Sequence, residues 1–109
     1  SPFGFNRMAK RPGIRVKLRG KSWQLSRTIN LKARGDVDSP EVSKRRIRIS
    51  SRVKDGTEEL LEVVIHECLH GLFWDLSEEA VQEAGVDLAK ILAKLGAAIE
   101  IPGGAEDEV

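Results

Sequence analysis

Residues 57–77 read TEELLEVVIHECLHGLFWDLS, and this stretch decides the architecture of the chain. Its apolar residues recur at intervals of three and four, which predicts a helix that is buried on most sides. Asp55 or Thr57 can cap the start of this helix. Residues 73–76 predict a break, after which Ser77 can cap a second helix with an acidic first turn. The two helices should form an αα-hairpin.

The second helix is expected to bury one apolar stripe against the first and to end at Gly96. The members of this stripe share a helical spacing and are Val81, Ala84, Leu88, Ile91 and Leu95.

Upstream of the helices, apolar and basic residues alternate with a period of two, which is typical of strands with one solvated face. Residues 33–43 are rich in turn formers and predict a loop. The strand candidates are Ile14–Leu18, a second run that starts at Trp23, a short segment at residues 29–31, and the charged Arg46–Ser50, which is expected at a sheet edge. The sequence therefore predicts an α+β domain, a small antiparallel sheet of three or four strands followed by an αα-hairpin.

The chain of 109 residues fits one domain. We expect a vector-derived remnant at residues 1–7, the domain at residues 8–101 and an acidic disordered tail at residues 102–109. No apolar run reaches the ~20 residues needed to cross a bilayer, and no export signal is visible. With a single cysteine, Cys68, the fold forms no internal disulfide, and the expected location is cytoplasmic.

Charge is distributed unevenly between the two halves of the chain. Residues 1–57 contain 16 Lys and Arg against 4 Asp and Glu, whereas residues 58–109 contain 2 against 13. A basic half is one signature of nucleic-acid binding. Here the basic residues alternate with apolar ones, which favours a basic sheet packed beside acidic helices, and nucleic acid is kept as an alternative partner.

Two histidines four residues apart, His66 and His70, lie on one face of the predicted helix, close enough to bind one metal ion. Zinc at a catalytic site takes three protein ligands and keeps one position open for water. Glu67 can reach that water and accept its proton. The pattern His-Glu-x-x-His therefore predicts a zinc-dependent hydrolase with Glu67 as general base. Cys68, on the apolar face, is expected to be a buried structural thiol.

Residues 66–96, HECLHGLFWDLSEEAVQEAGVDLAKILAKLG, resemble the zincin metallopeptidases of the gluzincin type, and more narrowly the minimal zincin-like proteins encoded by bacteriophages. The resemblance covers the motif helix and the Trp74-Asp75-Leu76 turn and is weak over the basic first half. It implies a short sheet, the motif helix and one further helix, with His66 and His70 as Zn²⁺ ligands and Glu67 as general base. A phage-encoded protein of this kind would act in the host cytoplasm.

The third metal ligand is left open by the sequence. Leu76 stands where a metzincin has a histidine or an aspartate, so that pattern is excluded. A gluzincin takes a glutamate from the next helix, often followed four residues later by an aspartate, and Glu83 and Asp87 have this spacing. The phage-type resemblance favours Glu79 instead, with Glu78 as the third choice. Asp87 is expected to orient one histidine through its other ring nitrogen.

The leading hypothesis is a zinc metallopeptidase in which an extended peptide or protein substrate pairs with Arg46–Ser50 beside the metal. The chain has no tyrosine and only two histidines, so an arginine or the metal alone must stabilise the oxyanion. Activity is therefore expected to be weak or to depend on a partner. The alternatives are a non-catalytic, zinc-stabilised phage accessory or binding module and a nucleic-acid-associated peptidase. The sequence indicates neither the cleavage preference nor the oligomeric state.

Overall fold

The computed structural model describes residues 13–102 and the backbone of residues 105–107. The α+β class is confirmed. The elements in chain order are β1 (Ile14–Leu18), β2 (Lys21–Ile29), β3 (Gly35–Val37), β4 (Arg46–Ser50), α1 (Glu58–Leu72), α2 (Glu78–Lys94) and β5 (Ala105–Asp107). Strand β5 lies within the segment predicted as a disordered acidic tail. The expected vector remnant at residues 1–7 lies outside the described residues.

The four main strands lie in the order β1-β2-β4-β3. The pairs β1/β2 and β3/β4 are antiparallel, but β2 and β4 are parallel, with Leu25 opposite Ile47. The prediction of a wholly antiparallel sheet was therefore wrong. Residues 30–45 form the crossover connection that parallel neighbours require, and they return the chain to the starting end of β2. Strand β5 pairs in parallel with β2 on the side of β1, because β4 already occupies the other side of Thr28.

Two strand predictions change with this topology. Residues 29–31 do not form a third strand, because β2 ends at Ile29 and Asn30 turns the chain with a φ of 64°. The third strand is instead β3, inside the predicted loop, and it forms the edge of the sheet. Strand β4 is consequently an inner strand, and the charge of Arg48 on it is balanced by Asp36 at 2.9 Å and Asp38 at 3.1 Å.

Helix α1 covers one face of the sheet, and no residue between Leu60 and Leu72 is fully exposed, as predicted. Thr57 is its cap, since the Thr57 hydroxyl accepts a hydrogen bond from the Leu60 amide at 3.1 Å. Asp55 instead binds Arg27, whose buried guanidinium also donates to main-chain carbonyls before the helix. The main core combines sheet, helix and connecting residues: Trp23, Leu25, Ile47, Ile49, Val53, Leu60, Val63 and Ile101.

Helix α2 packs against α1 through Val81, Gly85 and Ala89. The predicted apolar stripe is correct for Val81 but wrong for its larger members, which are exposed: Leu88 by 43%, Ile91 by 52% and Leu95 by 78%. The reason is a close approach of the helices, because a Cβ on Gly85 would lie 3.5 Å from the Glu62 carbonyl oxygen. The caps at Ser77 and Gly96 are as predicted. Among the described residues, no helix has the length and apolarity needed to cross a bilayer.

Candidate metal centre

His66 and His70 lie one turn apart on α1, and their ring centroids are 4.9 Å apart with the ring planes at 65°. Both rings are largely shielded, with side-chain exposures of 12% and 17%. The helix places them on the face that α2 covers, where Gly85 lies opposite His66. Both imidazoles direct Nε2 toward the start of α2.

Glu78 is the first residue of α2 and completes the group. Its Oε2 lies 3.0 Å from Nε2 of His66, and its Oε1 lies 2.9 Å from Nε2 of His70. Ser77 fixes the start of the helix by accepting a hydrogen bond from the Ala80 amide at 3.1 Å. The tight connection between the helices thus brings one carboxylate across both histidines.

The chemistry of this group suits a divalent cation. A carboxylate only accepts hydrogen bonds, so each imidazole must carry a proton on Nε2 when no cation is present. A bound metal ion would take the place of both Nε2 protons and would be coordinated by the two imidazole nitrogens and the Glu78 carboxylate. Ligand atoms at the usual ~2.0–2.1 Å from tetrahedral zinc are about 3.3 Å from one another, a few tenths of an ångström more than the observed nitrogen–oxygen separations. The ligand atoms of the three residues lie within 4.8 Å of one another, so small side-chain adjustments would fit them to zinc.

The structure places Glu78, rather than Glu79 or Glu83, beside the histidines. Helical geometry turns Glu79 by about 100° and Glu83 by about 140° away from Glu78 around the axis of α2. Both are exposed, and neither belongs to the histidine group. Asp87, expected behind a histidine, is also exposed, and no hydrogen bond joins it to either imidazole within the described part of the chain. The face that α2 turns to α1 is set by the close approach of the helices at Gly85, which helical periodicity does not reveal.

Glu67 is only 8% exposed, although it carries an ionisable group. Burial, and then the negative charges of Asp36 and Glu78, raise the pKa of the Glu67 carboxyl to about 7, while Arg34 opposes the shift. A carboxyl group with such a pKa can both accept and return a proton near neutral pH.

Gly35 on β3 allows the sheet to approach Glu67 closely. A Cβ atom on Gly35 would lie 2.9 Å from Cγ1 of Val63 and 3.1 Å from both Cγ of Glu67 and the carbonyl oxygen of Arg48. Any larger residue would therefore push β3 away from α1 or displace the glutamate. Sequence analysis had placed Gly35 in a loop, and its role depends on a strand pairing that local patterns do not show.

A cleft of about 550 Å³ opens over this group between β3 and the turn that joins the helices. Its lining combines the strand, the motif helix and the interhelical turn: Gly35, Asp36, Val37, Glu67, His70, Trp74, Leu76 and Glu78. A smaller pocket of about 190 Å³ continues past His66 to Arg34. The two share Gly35, Glu67 and Glu78, so together they follow β3 along its length.

The outer edge of β3 is free for pairing within the described structure. Positions 34 and 38 are bonded to β4 through the main chain at 2.7 Å and 3.0 Å. Positions alternate along an antiparallel ladder between facing the partner strand and facing away from it. The amide and carbonyl groups of Gly35 and Val37 therefore face away from β4, on the side of the cleft.

Arg34 lines the smaller pocket beside His66 and Glu67, and no sequence pattern had indicated it. Its guanidinium donates to Glu59 at 3.3 Å and to Glu62 at 3.0 Å. These two carboxylates hold the cation at the His66 end of the groove. Among the described arginines, Arg34 lines a pocket together with His66 and Glu67, which makes it the candidate for the oxyanion donor expected from the sequence.

Cys68 fits the expectation of a structural thiol. It packs against the main core, and burial raises the pKa of its thiol to about 11. Trp23 belongs to the core, whereas Trp74 is 48% exposed in the turn and lines the cleft.

Comparisons with protein-family models, curated proteins and solved structures find no match to this chain.

Proposed function

We propose that the protein is a zinc-dependent metallopeptidase of the minimal zincin-like kind. One observation carries the proposal: the His66, His70 and Glu78 group lies beside the buried Glu67, at the edge of a sheet whose main chain is free. A metal site alone would need neither the buried carboxylate nor the cleft. A peptidase needs all of these features together.

In this proposal His66, His70 and Glu78 hold the ion. Bound zinc supplies Lewis acidity, which lowers the pKa of a coordinated water and polarises a carbonyl group. The Glu67 carboxylate takes a proton at one of its oxygens and later delivers it to the leaving amine. Its position against Gly35 keeps the carboxylate between the histidines and the strand.

The substrate in this proposal is an extended peptide that pairs with Gly35 and Val37. Sequence analysis had assigned this pairing to Arg46–Ser50, which is instead an inner strand with no free edge. Strand addition at β3 would bring a main-chain carbonyl next to Glu67 by hydrogen bonds that do not depend on sequence. Arg34 stands at one end of the same groove, where its positive charge can favour a developing oxyanion.

Replacement of Glu67 by glutamine tests the mechanism directly. The Glu67→Gln variant should bind zinc as the parent does, while kcat falls by about 10²–10⁴-fold because the proton acceptor is lost. Zinc content by mass spectrometry and cleavage of a casein-derived peptide mixture provide the two readouts. Glu58→Gln, at the exposed start of the same helix, is the matched control. Undiminished cleavage by Glu67→Gln would show that Glu67 is not the base.

The non-catalytic module makes a different prediction about metal removal. The main core includes none of the three metal-facing residues, and the Glu78 side chain is 72% exposed. The fold therefore does not depend on the ion, and the chelated protein should keep its far-ultraviolet circular dichroism spectrum at 25 °C. Complete unfolding with a chelator would favour a zinc-stabilised module instead.

The nucleic-acid alternative is not needed to explain four arginines of the first half, which have partners within the protein. Arg48 pairs with two aspartates and Arg34 with two glutamates, whereas Arg45 and Arg52 each donate to main-chain carbonyl oxygens. A DNA affinity that falls steeply with salt concentration would support this alternative against the simpler peptidase.

A further inference from the structure

The turn between α1 and α2 presents two large apolar side chains to solvent. Trp74 is 48% exposed and Leu76 is 40% exposed. Both line the cleft that contains Glu67 and His70. Exposed apolar side chains beside converging polar groups are characteristic of a binding surface.

This turn is held in place from both sides. The amide of Leu76 donates to the carbonyl of Phe73 at 2.9 Å, which closes the turn. From the β1–β2 hairpin, Arg19 donates to the Leu72 carbonyl at 3.1 Å and places its guanidinium 5.6 Å from the centre of the Phe73 ring. Arg19 adopts a φ of 52°, a conformation unfavourable for a residue with a side chain. The wall that carries Trp74 is therefore ordered before any ligand arrives, which lowers the entropic cost of binding.

Strand β3 forms the other wall of the cleft and determines the orientation of a bound peptide. A peptide paired with the free groups of Gly35 and Val37 is extended, and every second side chain points to the same side. Side chains that project from the sheet face covered by α1 would meet Trp74 and Leu76, which line the cleft together with Glu67 and His70 of that helix.

We propose that Trp74 and Leu76 form the subsite that selects a large apolar side chain of the peptide substrate, next to the bond that is hydrolysed. This inference rests on the proposed function, because it takes the occupant of the cleft to be an extended peptide. It adds the class of substrate, which neither the metal-facing residues nor β3 specify.

The test measures binding without turnover. Zinc-loaded Glu67→Gln protein is titrated into dye-labelled, end-blocked hexapeptides that differ at one central residue (Phe, Leu, Ser or Asp), and fluorescence anisotropy gives Kd. The Phe and Leu peptides should bind about tenfold more tightly than the Ser and Asp peptides, a difference of about 1.4 kcal/mol, because only an apolar side chain gains from burial in the subsite. Adding Trp74→Ala, or separately Leu76→Ser, should reduce this ratio to about threefold or less. Leu95→Ala, a truncation of an exposed leucine outside the cleft, is the control and should keep the ratio.

The outcomes separate this inference from the proposed function. Equal affinities for the four peptides, no measurable binding, or a preference that survives both substitutions would overturn the apolar subsite. Cleavage by the parent protein is measured separately on the same peptides. A parent that cleaves without apolar preference refutes the subsite alone, and a preference in binding without any cleavage refutes the peptidase alone.

Discussion

Replacement of Glu78 by glutamine removes one of the three side chains that face the metal site and leaves its shape nearly unchanged. Structural zinc sites with four ligands bind with about 10–16 kcal/mol, or roughly 2.5–4 kcal/mol for each ligand. That range corresponds to about 10²–10³-fold in Kd. The Glu78 side chain is 72% exposed, so water can replace it in part, and we expect the lower end, a loss of about 100-fold. Glu79→Gln and Glu83→Gln should change the affinity by less than about threefold, since neither carboxylate reaches the histidines.

The assay is a competition for zinc between each variant and a chromophoric chelator at constant pH. Circular dichroism establishes that each variant is folded, which is expected because Glu78 contributes little to the core. A Glu78→Gln variant with the affinity of the parent would refute the assignment of the third ligand. A loss of zinc affinity in Glu83→Gln as large as that in Glu78→Gln would also refute it, because α2 would then present a different face to the histidines.

Other predictions follow from the contacts around the site. Gly35→Ala should lower kcat by about tenfold or more while zinc affinity changes little, because the added Cβ displaces Glu67 or β3. Gly85→Ala, whose Cβ would make ordinary contacts, is the control. Equal kcat values for the two variants would show that the close approach of β3 to Glu67 does not matter for catalysis. The hydrogen bond from Arg27 lowers the pKa of Asp55, so the unfolded chain binds more protons than the folded protein in acid. This contribution to stability is present above about pH 4 and is lost as the pH falls through the lowered pKa. Urea unfolding between pH 2 and pH 6 should therefore show a weaker pH dependence for Asp55→Asn than for the parent, and identical slopes would disprove the linkage.

The helices could be predicted from the sequence because their signals are local. Thr57, Ser77 and Gly96 mark helix ends through contacts with residues only three or four positions away. The placement of His66 and His70 on one face depends only on helical periodicity. These features do not depend on contacts with residues that are distant in the sequence.

The remaining features depend on pairings between distant residues. Strand β3 has too few residues for a periodic signal, and its position follows from pairing with β4 and from the close approach that Gly35 allows. The phase of α2 was misjudged because large apolar residues suggested the buried face, whereas close packing selected Gly85 and Ala89. With Gly85 and Ala89 facing α1, Glu78 also faces α1, because it lies on the same side of α2 as these two residues.

The parts of the candidate site differ in how far they are separated along the chain. The metal-facing side chains lie within one continuous stretch from His66 to Glu78, whereas the opposite wall of the cleft comes from Gly35–Val37 in the other half. Closing a short loop costs little entropy, and helical hairpins form faster than non-local strand pairs. In the proposed function, ion binding needs only the helical hairpin and could therefore precede the packing of β3 against α1 during folding. Peptide pairing beside Glu67, by contrast, would become available only when the non-local contact between Gly35 and Glu67 is made, so that a refolding chain would acquire its metal before it could engage a substrate.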